Sequence, residues 1–328
     1  MHYFNCRDFT LETDGVKVIE NVLTLKEIST LQNTMWTWLH NKTQHLNKPI
    51  VQNDPSTYVS IFKLCPKQGR LFQYGDFGHN PLSWTIRQHP NVIEEFIRIW
   101  HTEHLLTSFD GISISLPQKF NKHSCHHNKE WFHTDQNFQR NGFECVQGLV
   151  NLYPVHKGDA TFRFLRKSHA LHQAFQETFQ IKHKSDWCLL TPPQKQFYID
   201  RLEKNSDICV EAPAGSLVLW DSRTIHQEIG PQKNNKCSIQ CTPYVCMTPV
   251  NLASKLQLKK RIKYFEAKRT CNHLPHKVKV ISKLPISFGK HCPTMDLDNL
   301  QVTDLIKRLV GYPYLHRKYK PLKVKVSI

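Results

Sequence analysis

Apolar positions recur at helical intervals in the first third of the chain. In LTLKEISTLQNTMWTWLHNK (23–42), Leu25, Ile28, Leu31, Met35, Trp38 and Leu39 fall on one face, and in HPNVIEEFIRIWHTEHLL (89–106) Val92, Ile93, Phe96, Ile99 and Trp100 do the same. Both stretches are predicted helices. From Ile112 the period shortens. ISISLPQ and ATFRFLRKS alternate, VQGLVNLYP and GSLVLWDS are short and β-rich, and CSIQCTPYVCM closes the series. The turn signal Ala212-Pro213-Ala214-Gly215 precedes one of these strands. Short strands between residues 110 and 248, interrupted by a helical insertion near 170–203, predict a barrel or jelly roll. The expected organisation is a single domain over 1–328, mainly β with flanking helices. A helical N-terminal part (1–109) and a C-terminal extension (249–328) pack on a cupin-like core (110–248). LQLKKRIKYFEAK (256–268) and TDLIKRLVGY (303–312) read as helices of that extension.

Composition changes this picture little. With 39% hydrophobic and 11% aromatic residues, the chain of 328 residues can bury a sizeable core and is neither disordered nor collagenous. Its 11 cysteines form no CxxC pair, Cys237 and Cys241 being separated by three residues, which fits buried thiols in a reducing compartment better than a disulfide framework. There is no run of 18 apolar residues. MHYFNCRDFTLETDG carries acidic residues where a signal peptide needs a basic flank and an apolar stretch. These features predict a cytoplasmic protein without a membrane span. Charge adds more: the net charge is +17, and residues 251–328 hold 18 Lys and Arg against 4 Asp and Glu. That excess is either a solvated face or a surface for nucleic acid or another polyanion.

Chemistry enters with three His-x-acid triplets, His101-Thr102-Glu103, His133-Thr134-Asp135 and His226-Gln227-Glu228. With 20 histidines in 328 residues, such triplets carry little weight alone. The first falls in the predicted 89–106 helix, where positions i and i+2 face different ways. The second opens the β series, where i and i+2 share a face, so His133 and Asp135 can point together into a barrel. His226 lies after a later strand, LVLWDSRTI, and offers a third ligand. Two histidines and one carboxylate make the facial triad of non-haem Fe(II) oxygenases; an ordinary buried histidine is the competing reading. His123, Cys125, His126 and His127 in KHSCHHNKEW (122–131) crowd too closely to wrap one tetrahedral ion. Gln147 and Asn151 share a strand face and line either a pocket or the outside. Gln136 and His169 read as structural.

Around these ligands the sequence resembles the phytanoyl-CoA dioxygenase family of Fe(II)- and 2-oxoglutarate-dependent oxygenases. The likeness is carried by WTIRQHPNV, SFDGISI, WFHTDQN, CVQGLVNLYP, GDATFRFLRKSHALH, APAGSLVLWDSRTIHQ, YVCMTP, KKRIKYFEAKRTCNHLPH and LVGY, which run from Trp84 to Tyr312. It implies a double-stranded β-helix that holds Fe(II) through His133, Asp135 and His226. It also implies use of O₂ and 2-oxoglutarate as co-substrates, with hydroxylation of a small or medium organic substrate, not identified by the sequence, as 2-oxoglutarate becomes succinate. Arg269, Thr270, His273 and Pro275 fall in one of the similar segments. One feature of the family is missing. The co-substrate's distal carboxylate is expected to meet an Arg on the strand after the second histidine, where Ser238 and Gln240 stand, and no Arg occurs between Arg223 and Arg261. Lys236 as a point cation, Gln240 helped by Arg223, and loss of 2-oxoglutarate turnover with retention of the fold are the three explanations.

Overall fold

The computed structural model describes residues 1–120, 130–232, 238–281 and 301–315, together with the backbone of a hairpin at Ile286–Ser287 and Lys290–His291. Lys236, the 123–127 histidine cluster and much of the basic C-terminal tail lie outside the described residues.

Two mostly antiparallel sheets carry the fold. The first has the order β1 (His2–Asn5), β10 (Asp207–Glu211), β8 (Thr161–Leu165), β12 (His226–Ile229), β6 (His133–Thr134), β9 (Cys188–Leu189). Only β1 with β10 is parallel in it. The second has β2 (Val16–Ile19), β11 (Ser216–Asp221), β7 (Val146–Asn151), β13 (Gln240–Pro249), β5 (Ile112–Ser115) and β3 (Leu71–Phe72), with β4 (Leu105–Thr107) added to the far end of β13.

Strand alternation assigns the two faces of the second sheet. Val218 and Trp220 of β11 join Phe162, Phe164, Ile208 and Val210 of the first sheet in one apolar cluster, so the sheets pack face to face. Leu217 and Leu219 point the opposite way, into a cluster with Ile28, Leu31, Met35, Ile86 and Phe96 of the N-terminal helices. Both faces are covered, which is why all six residues of SLVLWD are buried. Gly215 makes the preceding turn with φ +79, and a Cβ there would sit 2.8 Å from Ile28 Cδ1.

The helices follow local sequence. After a single turn, α1 (Leu11–Asp14), α2 (Leu25–Thr43) starts at a capping box in which Thr24 Oγ1 accepts from Glu27 N–H while Glu27 accepts from Thr24 N–H. Its Ile28, Leu31, Met35, Trp38 and Leu39 are buried, but Leu25, counted in the same stripe, is exposed. Next come α3 (Pro81–Gln88) and α4 (Pro90–Trp100). The 89–106 helix thus stops at Trp100, because His101 takes the left-handed conformation at φ 51. The His101-Thr102-Glu103 triplet therefore lies past the helix end. The insertion forms α5 (His172–Phe179) and α6 (Pro192–Ile199), whose Phe175, Phe197 and Tyr198 pack with Phe132 and Phe138 behind β6. The N-terminal third, substantially helical by its sequence pattern, also supplies the strands β1, β2, β3 and β4, the last at the end of the predicted 89–106 helix.

The C-terminal part packs against the body through α7 (Lys255–Glu266) and α8 (Asp304–Val310). Arg261 of α7 is fully buried and donates to four carbonyls: Val310 (3.0 Å), Pro275 (2.9 Å), Thr107 (2.6 Å) and Leu309 (3.1 Å). Burial pushes its guanidinium down to about 9. One side chain thus ties β4, α8 and the segment carrying His273 and Pro275 together. Arg261→Met should strand these carbonyls and cost about 3 kcal/mol or more in urea unfolding, with Arg261→Lys recovering only part. Wild-type stability in Arg261→Met would show that water replaces the donors without loss.

Candidate metal centre

β6 is only two residues long, yet it sets His133 directly opposite His226 on β12, with ring centroids 4.3 Å apart. Each ring is oriented by its own backbone. His133 Nδ1 lies 3.0 Å from Trp131 O, and His226 Nδ1 lies 2.9 Å from Thr224 O. A carbonyl only accepts, so Nδ1 carries a proton in both rings, and Nε2 is the atom each ring turns toward the other candidate ligands. Asp135 has already left the strand. It is turned in by its own N–H, which donates to Ser222 O (3.1 Å), and by Thr134 Oγ1 on the same carbonyl (3.0 Å). Its Oδ2 stands 3.4 Å from His226 Nε2 and 3.8 Å from His133 Nε2, and accepts from Gln147 Nε2 at 3.0 Å.

The ligand atoms of His133, Asp135 and His226 all lie within 4.8 Å of one another. Three lone-pair-bearing atoms that face each other in a buried space repel unless a proton or cation sits among them, so the donor set fits a divalent cation. Ligands about 2.1 Å from a common ion at right angles would stand about 3 Å apart, a small contraction from these distances. Burial alone would raise the Asp135 carboxyl, but His273, His133 and His226 outweigh it and hold the group well below the usual carboxylate range. Burial, then the neighbouring His226, pushes His133 down to about 4, which keeps it neutral and able to ligate.

The ligands line a cavity of about 630 Å³, shared with Gln147, Trp220, Glu228 and Tyr244. Gln136 is not among its walls. Its amide bonds Arg140 O and Gly142 O (both 2.7 Å) and accepts from Ser222 Oγ (2.7 Å), which fixes the turn behind Asp135. His169 is spent on Glu12 O at 2.9 Å. Arg223 is held by Asp221 and by Asn141 O (2.9 Å), and is not among the cavity's lining residues. Gln240 and Asn151 line a separate chamber of about 30 Å³ deeper between the sheets. There Gln240 donates to Pro154 O (2.9 Å) and Ser238 Oγ (3.0 Å), and its Oε1 has no partner among the described residues.

Glu228, the acid of the third triplet, stays out of the ligand cluster and lines both spaces. Its Oε2 meets Arg70 Nε at 3.4 Å and Ser113 Oγ at 3.1 Å, and Tyr244 OH donates to its other oxygen. Arg70 is buried at 4% exposure and enters from the turn before β3. The sequence candidates Arg223, Lys236 and Gln240 all lie near His226 along the chain, and Arg70 does not. The available signal was Glu228 itself: two residues past His226 it shares that histidine's inward face, and an inward carboxylate needs a cation.

No family model matches the chain. A curated relative, Ava biosynthesis cluster protein O of Aspergillus versicolor, is 27% identical over 290 residues, covering 84% of this chain and 87% of the relative. Similar solved structures include the non-heme monooxygenase ThoJ with nickel (TM-score 0.43, 13% identity, 72% of this chain and 74% of that one). HygX from Streptomyces hygroscopicus with nickel and 2-oxoglutarate bound is another (TM-score 0.44, 12% identity, 73% and 85%). A third is the non-heme alpha-ketoglutarate-dependent carbocyclase SnoK from nogalamycin biosynthesis (TM-score 0.45, 13% identity, 76% and 87%).

Proposed function

We propose that this chain is an Fe(II)- and 2-oxoglutarate-dependent dioxygenase on a double-stranded β-helix, forming one domain and hydroxylating a small organic molecule. The observation that carries this reading is the convergence of His133 Nε2, His226 Nε2 and an Asp135 carboxylate oxygen, with both imidazole tautomers fixed for ligation. Three protein ligands leave coordination positions free for a co-substrate and O₂. Bound iron would supply the oxidation, coupled to decarboxylation of 2-oxoglutarate to succinate. The protein's own part is to hold and orient. Gln147 pins one Asp135 oxygen, Ser222 O pins the Asp135 backbone, and Phe162 (ring 5.3 Å from His226) and Trp220 wall the iron side from the apolar interior.

The co-substrate's distal carboxylate, in this reading, is held by Arg70; Arg223 is taken up by Asp221 and Asn141 O, Gln240 by Pro154 O and Ser238 Oγ, and Lys236 lies outside the described residues. Arg70 is a buried guanidinium that lines the small chamber beyond the metal cavity, and its Nε faces Glu228 (3.4 Å), which lines both spaces. The curated relative's name, a biosynthesis cluster protein, is in keeping with a small-molecule substrate.

The alternative is a catalytically impaired protein of this fold whose basic surface binds nucleic acid or another polyanion. One feature favours it: Lys255, Lys259 and Lys263 are exposed at four-residue intervals along α7. Truncation cannot test it, because α7 and α8 contribute Leu258, Phe265 and Leu309 to the core. Gln at the three lysines should leave heparin retention unchanged if the enzyme reading is the whole account; a steep salt-dependent loss would support the polyanion surface.

His133→Ala, Asp135→Ala and His226→Ala should each abolish Fe(II) binding in anaerobic titration while thermal melts stay near wild type. Unchanged iron affinity in any of them removes that residue from the centre. Adding 2-oxoglutarate to the ferrous protein should produce the weak visible band of a chelated 2-oxo acid, and its absence with iron bound would sink the dioxygenase reading. Arg70→Gln/Glu228→Gln, which keeps the pocket neutral, should weaken 2-oxoglutarate at least about tenfold. Glu228→Gln alone should tighten it by removing a competing carboxylate. Wild-type affinity in the double variant would make Arg70 a structural partner of Glu228 only.

A further inference from the structure

The cavity around the ligands carries a charge imbalance that the metal centre does not explain. Four carboxylates face it, and each has a partner. Asp110 pairs with Arg87 (3.2 Å), Asp186 with Arg140, Glu228 with Arg70, and Asp135 belongs to the ligand cluster. Lys67, Lys184 and Lys279 also line it, and among the described residues none of these three makes an ion pair or a side-chain hydrogen bond. They come from three separate segments, the turn before β3, the insertion between α5 and β9, and the stretch after α7. No local run of sequence accounts for their meeting. Cations that line one cavity from separate segments, without ion-pair partners among the described residues, add a positive field within it.

Two further observations point the same way. Trp187, three residues from Lys184, is 48% exposed while its ring centroid lies 5.9 Å from His133; a large apolar face left open beside a functional centre marks a contact surface. His273 also lines the cavity, and its Nε2 is buried without a hydrogen-bond partner among the described residues. An orphaned polar atom in a cavity wall is satisfied most simply by what enters the cavity.

We propose that the outer half of this cavity binds the substrate, and that the substrate is a flat, apolar molecule bearing a carboxylate or phosphate. The anion sits among Lys67, Lys184 and Lys279, the flat body lies on Trp187, and a polar atom reaches His273 Nε2. The proposal rests on the dioxygenase reading only in naming this ligand the substrate, since the site itself needs no metal. It is distinct from the co-substrate's place, which is inward at Arg70.

The test uses the full chain, stripped of metal and without 2-oxoglutarate. Binding of 2-naphthoate, 2-naphthyl phosphate and the neutral 2-naphthamide is followed by anisotropy of the naphthyl group. At least one anionic probe should bind at least tenfold more tightly than the amide, and the tighter of the two identifies the anion. Lys67→Gln/Lys184→Gln/Lys279→Gln, all at exposed positions, should reduce that probe to the amide's affinity. Trp187→Ala should weaken all three probes, whereas Arg70→Gln/Glu228→Gln should not change them. Equal binding of anion and amide, an unaffected lysine variant, loss of binding on changing Arg70, or no probe bound at all would each overturn the proposal. Probe binding without the ferrous 2-oxoglutarate band would leave this site standing and remove the dioxygenase reading; the band without probe binding would do the reverse.

Discussion

Mutual repulsion among three buried electron-rich atoms is the constraint around which this molecule is arranged. Left to themselves, two imidazole lone pairs and a carboxylate would separate or take up protons. Here they are held by groups that have no role of their own in binding an ion. Trp131 O and Thr224 O fix the rings, Ser222 O fixes the Asp135 backbone, and Ser222 N–H in turn donates to Cys145 O (3.0 Å) at the entrance to β7, the strand that carries Gln147. A two-residue strand cannot supply that rigidity alone. It is borrowed from the aromatic cluster of α5 and α6 behind β6, where Phe138 stacks on Phe175 at 4.2 Å. The arrangement is preorganised, so the cost of assembling it falls on folding and not on ion binding.

The inward face of β12 extends the same logic. His226 and Glu228 share it, so the sheet that delivers a ligand also delivers a carboxylate into the space between the sheets. Glu228 is tolerable there because Arg70 meets it from the turn before β3 and Tyr244 from β13, and burial with the adjacent carboxylate pushes the Tyr244 hydroxyl up so that it stays a donor. A buried pair of this kind contributes little net stability, but either member alone would be costly. That asymmetry couples the two residues, and it gives a reason for a guanidinium to reach this space from the turn before β3 when the strand after His226 has none.

The pattern of apolar positions disclosed the longer helices and the strands that follow one another between residues 110 and 248. The α2, α4 and α7 stripes and the strands β5, β7, β8, β11 and β13 all lie where periodicity indicates. The strands β1, β2 and β3 were illegible because they are short and stand among helical stretches, outside the run of strand-like segments that begins at β5, and their partners lie far along the chain, β1 with β10 and β2 with β11. At the centre, strand alternation brought His133 and Asp135 together for a reason that holds only in part, since Asp135 lies beyond β6 and is turned inward by its hydrogen bond to Ser222 O. Arg70 was hidden for the same reason as β3: nothing local marks a residue whose partner is 158 positions away.

The C-terminal segment reads differently once Arg261 is considered. A strongly basic quarter of the chain suggests a solvated or nucleic-acid-facing surface, yet one of its arginines is wholly interior and bonded only to carbonyls. That arginine fixes Pro275, while Cys271 N–H donates to Phe109 O (2.9 Å) and Thr270 N–H to Gly75 O (2.7 Å). His273 lies between these anchors, and the same segment brings Lys279 to the cavity wall. Anchoring by hydrogen bonds to backbone on both sides allows this part of the wall to carry an unpartnered imidazole nitrogen and an unpaired lysine without collapsing onto them. The charge of this region is therefore divided by position: part is structural and interior, part lies on the exposed face of α7, and part faces the same cavity as the three candidate ligands.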